Sequence, residues 1–485
     1  MSVIPVGKPV GKHGYSPANA VYPPALITVG ALSFAKPENL EPKRLIIERI
    51  KYKTIMTKIK ISIVFLFMAL AVNIYAHVQR VKMGTASTPA DAEVSLSLAQ
   101  RFQSYDSKPG NINDHFDASV NSPKSVNILD RMGKFYVHSL EGYTTSVYSL
   151  SDFRLLTTIH HEFNQKDQYL FLEDSYFDYK FRTKKENLNY FSGKPVESCF
   201  SHNGKYLWVT YYRRSYDRNA IDPSAVCIID TETDTIVRVM PTAPLPKMIA
   251  CSPDNNTIAV THWGDNTVAL IDISSDNPAK FKYLKNIVID YRMSLQYDKN
   301  TVVNRDKNCG NCLRGTVFTP DSQYLLVGKM GGSSVAVIDV KNQKYICSVS
   351  GMKENMRHLI INNGNLYLSI HKTGFVQKAS LRDFLLHAEE GRKESFDKWT
   401  SVYVGEGART IVADPKGEYI FAAANNKSQI SVVRTSDMKV IAQCPVDSYP
   451  VGMDISEDGR YLIVTSQGKE GGGGNSVMVF KINGK

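Results

Sequence analysis

Apolar and polar positions alternate in short runs along most of this chain, and the runs recur in a fixed order. In Lys247 to Asp272 (KMIACSPDNNTIAVTHWGDNTVALID) and Arg314 to Asp339 (RGTVFTPDSQYLLVGKMGGSSVAVID) the order is the same. Each segment reads as a strand, a Pro-Asp turn, a second strand, a Gly/Asn/Asp turn and a third strand that ends in Asp. Anchoring on the turn after the first strand carries the pattern to copies starting near Lys124, Val196, Lys247, Arg314, Arg357, Arg409 and Val451, seven in all. Pro presets one backbone angle of such a turn, and Gly or Asn accepts positive φ. A fourth strand is expected over Thr235–Met240, Lys344–Val349 and Lys439–Cys444. One such unit cannot bury both of its faces, so the copies must pack on one another. The predicted fold is therefore all-β, a seven-bladed β-propeller.

The last copy stops at Ile482 after its third strand. An open ring would leave a bare sheet edge. The missing outer strand is predicted from the N-terminal side of the first blade, within Asn111 to Asn121, which would pin the two ends of the propeller (122–485) together. The segment 77–121 supplies this strand, and Val78 to Ser122, rich in Ser, Ala, Asp and Gln, otherwise reads as a mobile lead-in.

The chain before the propeller follows another pattern. From Met56, the sequence MTKIKISIVFLFMALAVNIYAH has a charged start, an apolar core from Ile61 to Val72 and small Ala76 at its end. This matches a secretory signal peptide over 56–76, too short in its core for an ordinary membrane span. The alternative is an uncleaved signal anchor. Residues 1–55 are Pro-rich, basic and aperiodic, and are expected to be disordered or not translated. Charge must be read with this division in mind, because residues 1–76 hold ten Lys/Arg against three acids and so carry seven of the eleven excess positive charges. The strongly basic balance that would suggest a nucleic-acid or anionic-surface partner belongs mostly to the segment outside the propeller.

Cys199, Cys227, Cys251, Cys347 and Cys444 fall in predicted strands, where Cys behaves as a small buried hydrophobe. Cys309 and Cys312 stand apart as NCGNC in a long loop. The thioredoxin-like context of a redox pair is missing, Leu313 replaces the His of a haem-attachment motif, and no second ligand pair for zinc is visible. A local disulfide in an oxidising compartment is expected. No cofactor and no metal site are predicted.

In a propeller the first strand of each blade lines the central channel. Its starting residue shares a rim with the end of the second strand. The first positions are Lys124, Val196, Lys247, Arg314, Arg357, Arg409 and Val451, five of them basic; the second include Tyr211, His262, Lys329 and His371. Converging ammonium and guanidinium groups favour an anionic ligand, since Arg presents a planar donor fork to carboxylate or phosphate. The bland alternative is pairing with nearby acids or a water-filled channel. On the same face, His161 to Lys194 holds nine aromatics, from Phe163 to Phe191, which either form a hydrophobic cluster or stack on a partner. The loops Arg213–Asp222, Lys285–Cys312 and Gly468–Gly474 add to this rim. On the opposite face, Ser380 followed by Asp383, with Leu381, Phe384, Leu385 and Ala388 at helical spacing, predicts a capped amphipathic helix leading to a strand near Trp399–Val404.

The chain has no Gly-x-Ser-x-Gly elbow, His-Glu-x-x-His pair, P-loop or EF-hand spacing. Residues Val260 to Asp272 (VTHWGDNTVALID) do resemble the signature of the YVTN β-propeller repeat, with Ala259 where that family has Tyr and His262 where it has Asn. The resemblance spans about Ser122 to Ile482. It implies a seven-bladed propeller of bacterial or archaeal type, often exported. Similar proteins include surface-layer and adhesion-like binders, an exported nucleic-acid binder and lactonases, so no single function is implied. The expectation is an exported monomeric propeller, periplasmic or extracellular, that binds an anionic small molecule, glycan or protein through Lys124, Lys247, Arg314, Arg357, Arg409, Tyr211, His262, Lys329 and His371 without catalysis. Its rivals are a lactonase-like hydrolase using His262 or His371 as base, with Arg314, Arg357 and Arg409 on the oxyanion, and a single-stranded nucleic-acid binder.

Overall fold

The computed structural model describes residues 78–172, 187–294, 303–468 and 474–484. The apolar segment 56–76 and all residues before it lie outside the described residues, as do four of the loop aromatics, Tyr176, Phe177, Tyr179 and Phe181. Among the described residues no helix is long and apolar enough to cross a membrane.

Seven sheets, each built on an antiparallel set of strands ordered from inner to outer, make up the described fold. Blade 1 runs Pro123–Leu129, Lys134–Ser139, Thr144–Ser149 and Leu155–His160. Blades 2 to 7 begin with Phe191–Ser201, Pro246–Cys251, Leu313–Phe318, Met356–Asn362, Ala408–Ala413 and Pro450–Ile455. The expected fourth strands are present as Thr235–Thr242, Lys344–Ser350 and Lys439–Pro445. The protein is a seven-bladed β-propeller.

The core lies between blades rather than within them. Strand alternation gives each sheet two apolar faces, and neighbouring sheets close over them. Leu270 and Val268 of blade 3 pack with Leu325, Val327 and Ile338 of blade 4. Phe421, Ile430 and Val432 of blade 6 pack with Leu462, Met478 and Phe480 of blade 7. The helix Leu381–Glu389 starts as expected, with the Ser380 hydroxyl accepting from the Asp383 N–H at 3.2 Å. Its buried Phe384 packs on Phe396 and Trp399, extending the cluster between blades 4 and 5.

Blade 7 closes with a strand from the N-terminal side, but not from the segment expected. Val94–Gln103 pairs antiparallel with the final strand Ser476–Gly484, from Val94 opposite Gly484 to Gln103 opposite Ser476. Within Asn111–Asn121, the short strand Asp114–Phe116 pairs parallel on the outer side of Val94–Gln103. Val94, Leu96, Leu98 and Phe102 alternate with Ser95, Ser97 and Arg101, and each of these four apolar side chains is buried. A polar average composition hid a strand whose period is plain at single-residue level.

The lead-in is likewise tied down rather than mobile. Gln79 donates through Nε2 to the carbonyls of Val446 at 2.7 Å and Ser428 at 2.9 Å, and the Val81 N–H donates to Asp447 Oδ1 at 2.8 Å. Arg101, buried, forms a bidentate pair with Asp114 and lies 3.5 Å from Asp447. Leu96→Ala should lower the unfolding free energy by about 2–5 kcal/mol, as for a core Leu, while Ile112→Ala, at a residue 89 % exposed, should change it by no more than about 0.5 kcal/mol. Equilibrium denaturation of the two variants checks this, and equal effects would rule out the closing role.

Candidate functional site

Each of the seven inner strands slips register against its second strand at the same place. The shifts fall between Pro123 and Val126, Pro195 and Ser198, Pro246 and Met248, Leu313 and Thr316, Met356 and His358, Ala408 and Ile411, and Pro450 and Gly452. The residues inside these shifts include Lys124, Val196, Lys247, Arg314, Arg357, Arg409 and Val451, the seven first positions of the repeat. A bulge leaves its extra residue out of the ladder and re-aims its side chain. The repeat therefore frees one residue per blade from the pairing register, and three of the seven, Arg314, Arg357 and Arg409, line one cavity. At two bulges glycine is required by close approach: a methyl on Gly452 would collide with the Lys124 carbonyl, and one on Gly315 with the Leu359 side chain.

A cavity of about 220 Å³ is lined by Arg314, Arg357 and Arg409 together with Ser125, Asn127, Glu197, Ser198, Thr316, His358, Thr410 and Asp454. The five basic first-position residues differ sharply in what neutralises them. Lys247 is covered: its Nζ lies 3.9 Å from Asp306 and sits over the rings of Tyr212, at 3.9 Å, and Trp263, at 5.0 Å. Arg314 has Glu197 at 3.7 Å. Arg409 donates from Nε to the Val451 carbonyl at 3.3 Å, and Lys124 donates to the Gln467 amide oxygen at 2.6 Å. Arg357 has a buried Nε without a partner, and among the described residues no carboxylate pairs with Arg357, Arg409 or Lys124.

Burial in a ring of like charge shows in the acid–base behaviour. Burial, with Arg409 and Arg314 adding to it, holds the Arg357 guanidinium well below its usual range. Burial lowers Arg314 to about 10, with Arg409 pushing the same way and Glu197 opposing. Burial, then Arg409, Arg314 and Arg357, hold Lys124 well below the usual lysine range. Deeper in the cavity, burial raises Asp454 to about 7, although its carboxylate accepts from the N–H groups of Ile128 at 2.7 Å and Ile455 at 2.9 Å.

The second-position residues do not join this ring. Tyr211 is fully buried in the blade 2 cluster, its hydroxyl 2.9 Å from His161 Nδ1. His262 is fully buried between two threonines, Nε2 to Thr242 at 2.6 Å and Nδ1 to Thr267 at 2.9 Å. Lys329 pairs with Asp290 at 2.5 Å and reaches Ser348 at 3.1 Å, on the outer side of blade 4. The second strand lies one layer from the axis, so its end residues point between blades. His371 is buried and comes nearer, since after burial itself Arg357, Arg409 and Arg314 lower it, to about 2. Glu197, Asp454, Asn127 and His358 were missed, although all lie further along the same inner strands and the repeat could have been followed down to them.

Around the mouth, Cys309 and Cys312 are joined in a disulfide that packs with Leu245, Trp263 and Met330. Asp306, three residues before Cys309, also accepts a short bond from Arg213. Of the loop aromatics, Phe163, Phe171 and Phe191 cluster with Leu170 and Tyr211, whereas Tyr169 and Tyr190 are exposed.

No protein-family profile matches the chain, and no curated protein matches it in sequence. Among solved structures, hydrazine synthase of Kuenenia stuttgartiensis superposes with a TM-score of 0.52 at 12% identity, covering 75% of this chain and 96% of that one. The Cps50 (Swd1) β-propeller domain of Myceliophteria thermophila superposes with a TM-score of 0.50 at 10% identity, covering 75% and 97%. At such identities the likeness is one of fold alone, and the function has to be argued from the site.

Removing one member of a buried like-charge cluster should relieve repulsion. In buffer without multivalent anions, Arg357→Met should raise the unfolding free energy by about 1–4 kcal/mol, the range seen when buried charges give way to apolar side chains. Chemical denaturation measures it. A loss of stability would mean that the guanidinium is held by partners in the fold.

Proposed function

We propose that this propeller is a non-catalytic binder whose channel mouth takes up a small anionic ligand, either free or as the charged group of a glycan or protein partner. The fold itself supports a binding or scaffold role. One observation carries the finer reading: Arg314, Arg357 and Arg409 line one cavity with a single carboxylate, Glu197, in ion-pair range of any of them among the described residues. Cations that merely line a watery channel gain nothing from burial, whereas an anion with several acceptor oxygens would offer charge-assisted bonds to the three guanidiniums, including the unpartnered Arg357 Nε. Ser125, Ser198, Thr316 and Thr410 also line the cavity, their hydroxyl protons already donated within the protein, so the charge of the ligand is answered by the guanidiniums.

The lactonase reading has less support. His262 has both ring nitrogens engaged by threonines, and His371, lowered to about 2, is a weak base. A single-stranded nucleic acid needs an open basic groove interleaved with stacking rings, while these cations are gathered in a cavity and Phe163, Phe171 and Phe191 pack on one another. Export is supported by the signal-like segment 56–76 and by the bonded pair Cys309–Cys312. The protein is proposed to act as a monomer.

Titration calorimetry with sulfate and with inorganic phosphate at low ionic strength tests the reading. Arg357→Ala and Arg409→Ala should each weaken binding by about 10- to 100-fold, the worth of one hydrogen bond to a charged group, and Glu197→Gln should tighten it. Binding that is absent in the unmodified protein, or unchanged in Arg357→Ala, would reject the site.

A further inference from the structure

We propose that the channel cavity takes a short linear ω-amino acid, with its carboxylate on Arg357 and Arg409 and its ammonium on Asp454. The inference rests on the anion-binding reading and goes beyond it by giving the ligand a cationic end and an aliphatic chain between its two charges.

The cavity holds unanswered groups of both signs. Arg357 and Arg409 line it without a carboxylate partner among the described residues. Asp454 lines it too, and among the described residues no cation pairs with it. Its carboxylate accepts from the N–H groups of Ile128 at 2.7 Å and Ile455 at 2.9 Å. A carboxylate has about four acceptor sites, so these two bonds fix the group and leave it able to accept more. They tie it to blades 1 and 7, whereas the guanidiniums come from blades 4, 5 and 6.

A cavity meant for a simple anion would not be built this way. A carboxylate lining the same small space repels the ligand that the guanidiniums attract, and burial already raises Asp454 to about 7. A ligand with a carboxylate at one end and an ammonium at the other answers both groups at once through charge-assisted bonds.

The repeat sets the spacing. Arg357 and Arg409 stand at the first position of their inner strands, and the same position in blade 7 is Val451. Asp454 lies three residues further along its strand, about 10 Å at the usual rise. Bonds of about 2.8 Å at each end of the ligand leave about 4–5 Å between its carboxylate oxygen and its nitrogen. An α-amino acid, whose two charges flank one carbon, is too short for that span, and a chain of about three to five carbons covers it. Apolar lining lies between the two levels: Met248 and Ile249 stand one and two residues past Lys247, and Met453 two past Val451. These side chains suit methylene groups.

The test is titration calorimetry on the full-length protein at about pH 8, where a carboxyl of about 7 is mostly ionised. Glycine, β-alanine, 4-aminobutyrate and 5-aminovalerate are compared with acetate, propionate, butyrate and pentanoate, which lack the amine. 4-Aminobutyrate should bind at least about tenfold tighter than butyrate, the effect of one bond to a charged group, and tighter than glycine. Asp454→Asn should remove that preference while tightening butyrate. Asp454→Glu, which carries the acid one methylene further into the cavity, should keep the preference and shift the optimum to β-alanine; sulfate binding by each variant shows that its site is still formed. The inference is overturned if 4-aminobutyrate binds no tighter than butyrate, if glycine binds tightest, or if the preference survives in Asp454→Asn. Sulfate binding by the same protein would leave the anion site standing after that failure, whereas loss of sulfate and butyrate binding alike would remove both readings.

Discussion

The pairing of Val94–Gln103 with Ser476–Gly484 is the constraint on which the rest of the structure depends. A propeller blade buries its faces only against neighbours, so six complete blades and a seventh of three strands would leave one sheet short of its outer edge. The borrowed strand completes blade 7, and that blade holds the inner strand of blade 1 in place. The Thr465 hydroxyl reaches the Lys124 carbonyl across this junction, and Gly452 leaves room for that carbonyl. The buried Arg101–Asp114 pair and Asp447 tie the borrowed strand further into the ring. Closure thus positions the first of the channel cations relative to the others.

Once the ring is closed, its inner bulges gather like charges. Two unit charges about 4 Å apart interact by about 4 kcal/mol at an effective dielectric of about 20, so an uncompensated cluster opposes folding unless something answers it. At Lys247 the answer is built in, through Asp306 and the aromatic rings over the ammonium. At Arg314 it is partial, with Glu197 at 3.7 Å. For Arg357 and Arg409 no carboxylate answers among the described residues. This imbalance is the observation on which the proposed anion site rests.

The fold was legible because strand period, turn residues and repeat length all pointed the same way. The same repeat, used as a ruler, led to Arg314, Arg357 and Arg409, which line one cavity, since the bulge falls at one point in every copy. It erred one strand out, where Tyr211, His262 and Lys329 satisfy partners between blades. Rim position alone does not show which way a side chain turns. Asp454 had no signal, because an acid in Gly452-Met453-Asp454-Ile455 looks like any other polar strand residue until burial is known. The closing strand was hidden by composition: serines between Val94, Leu96 and Leu98 made a buried strand look like a linker.

The most direct test of the account is a crystal structure grown with selenate, with the anomalous signal of selenium used to place the anion. The account predicts a peak in the channel cavity, with oxygens within hydrogen-bond distance of Arg314, Arg357 and Arg409. A cavity holding water alone, with the Arg357 side chain paired to a carboxylate, would contradict it.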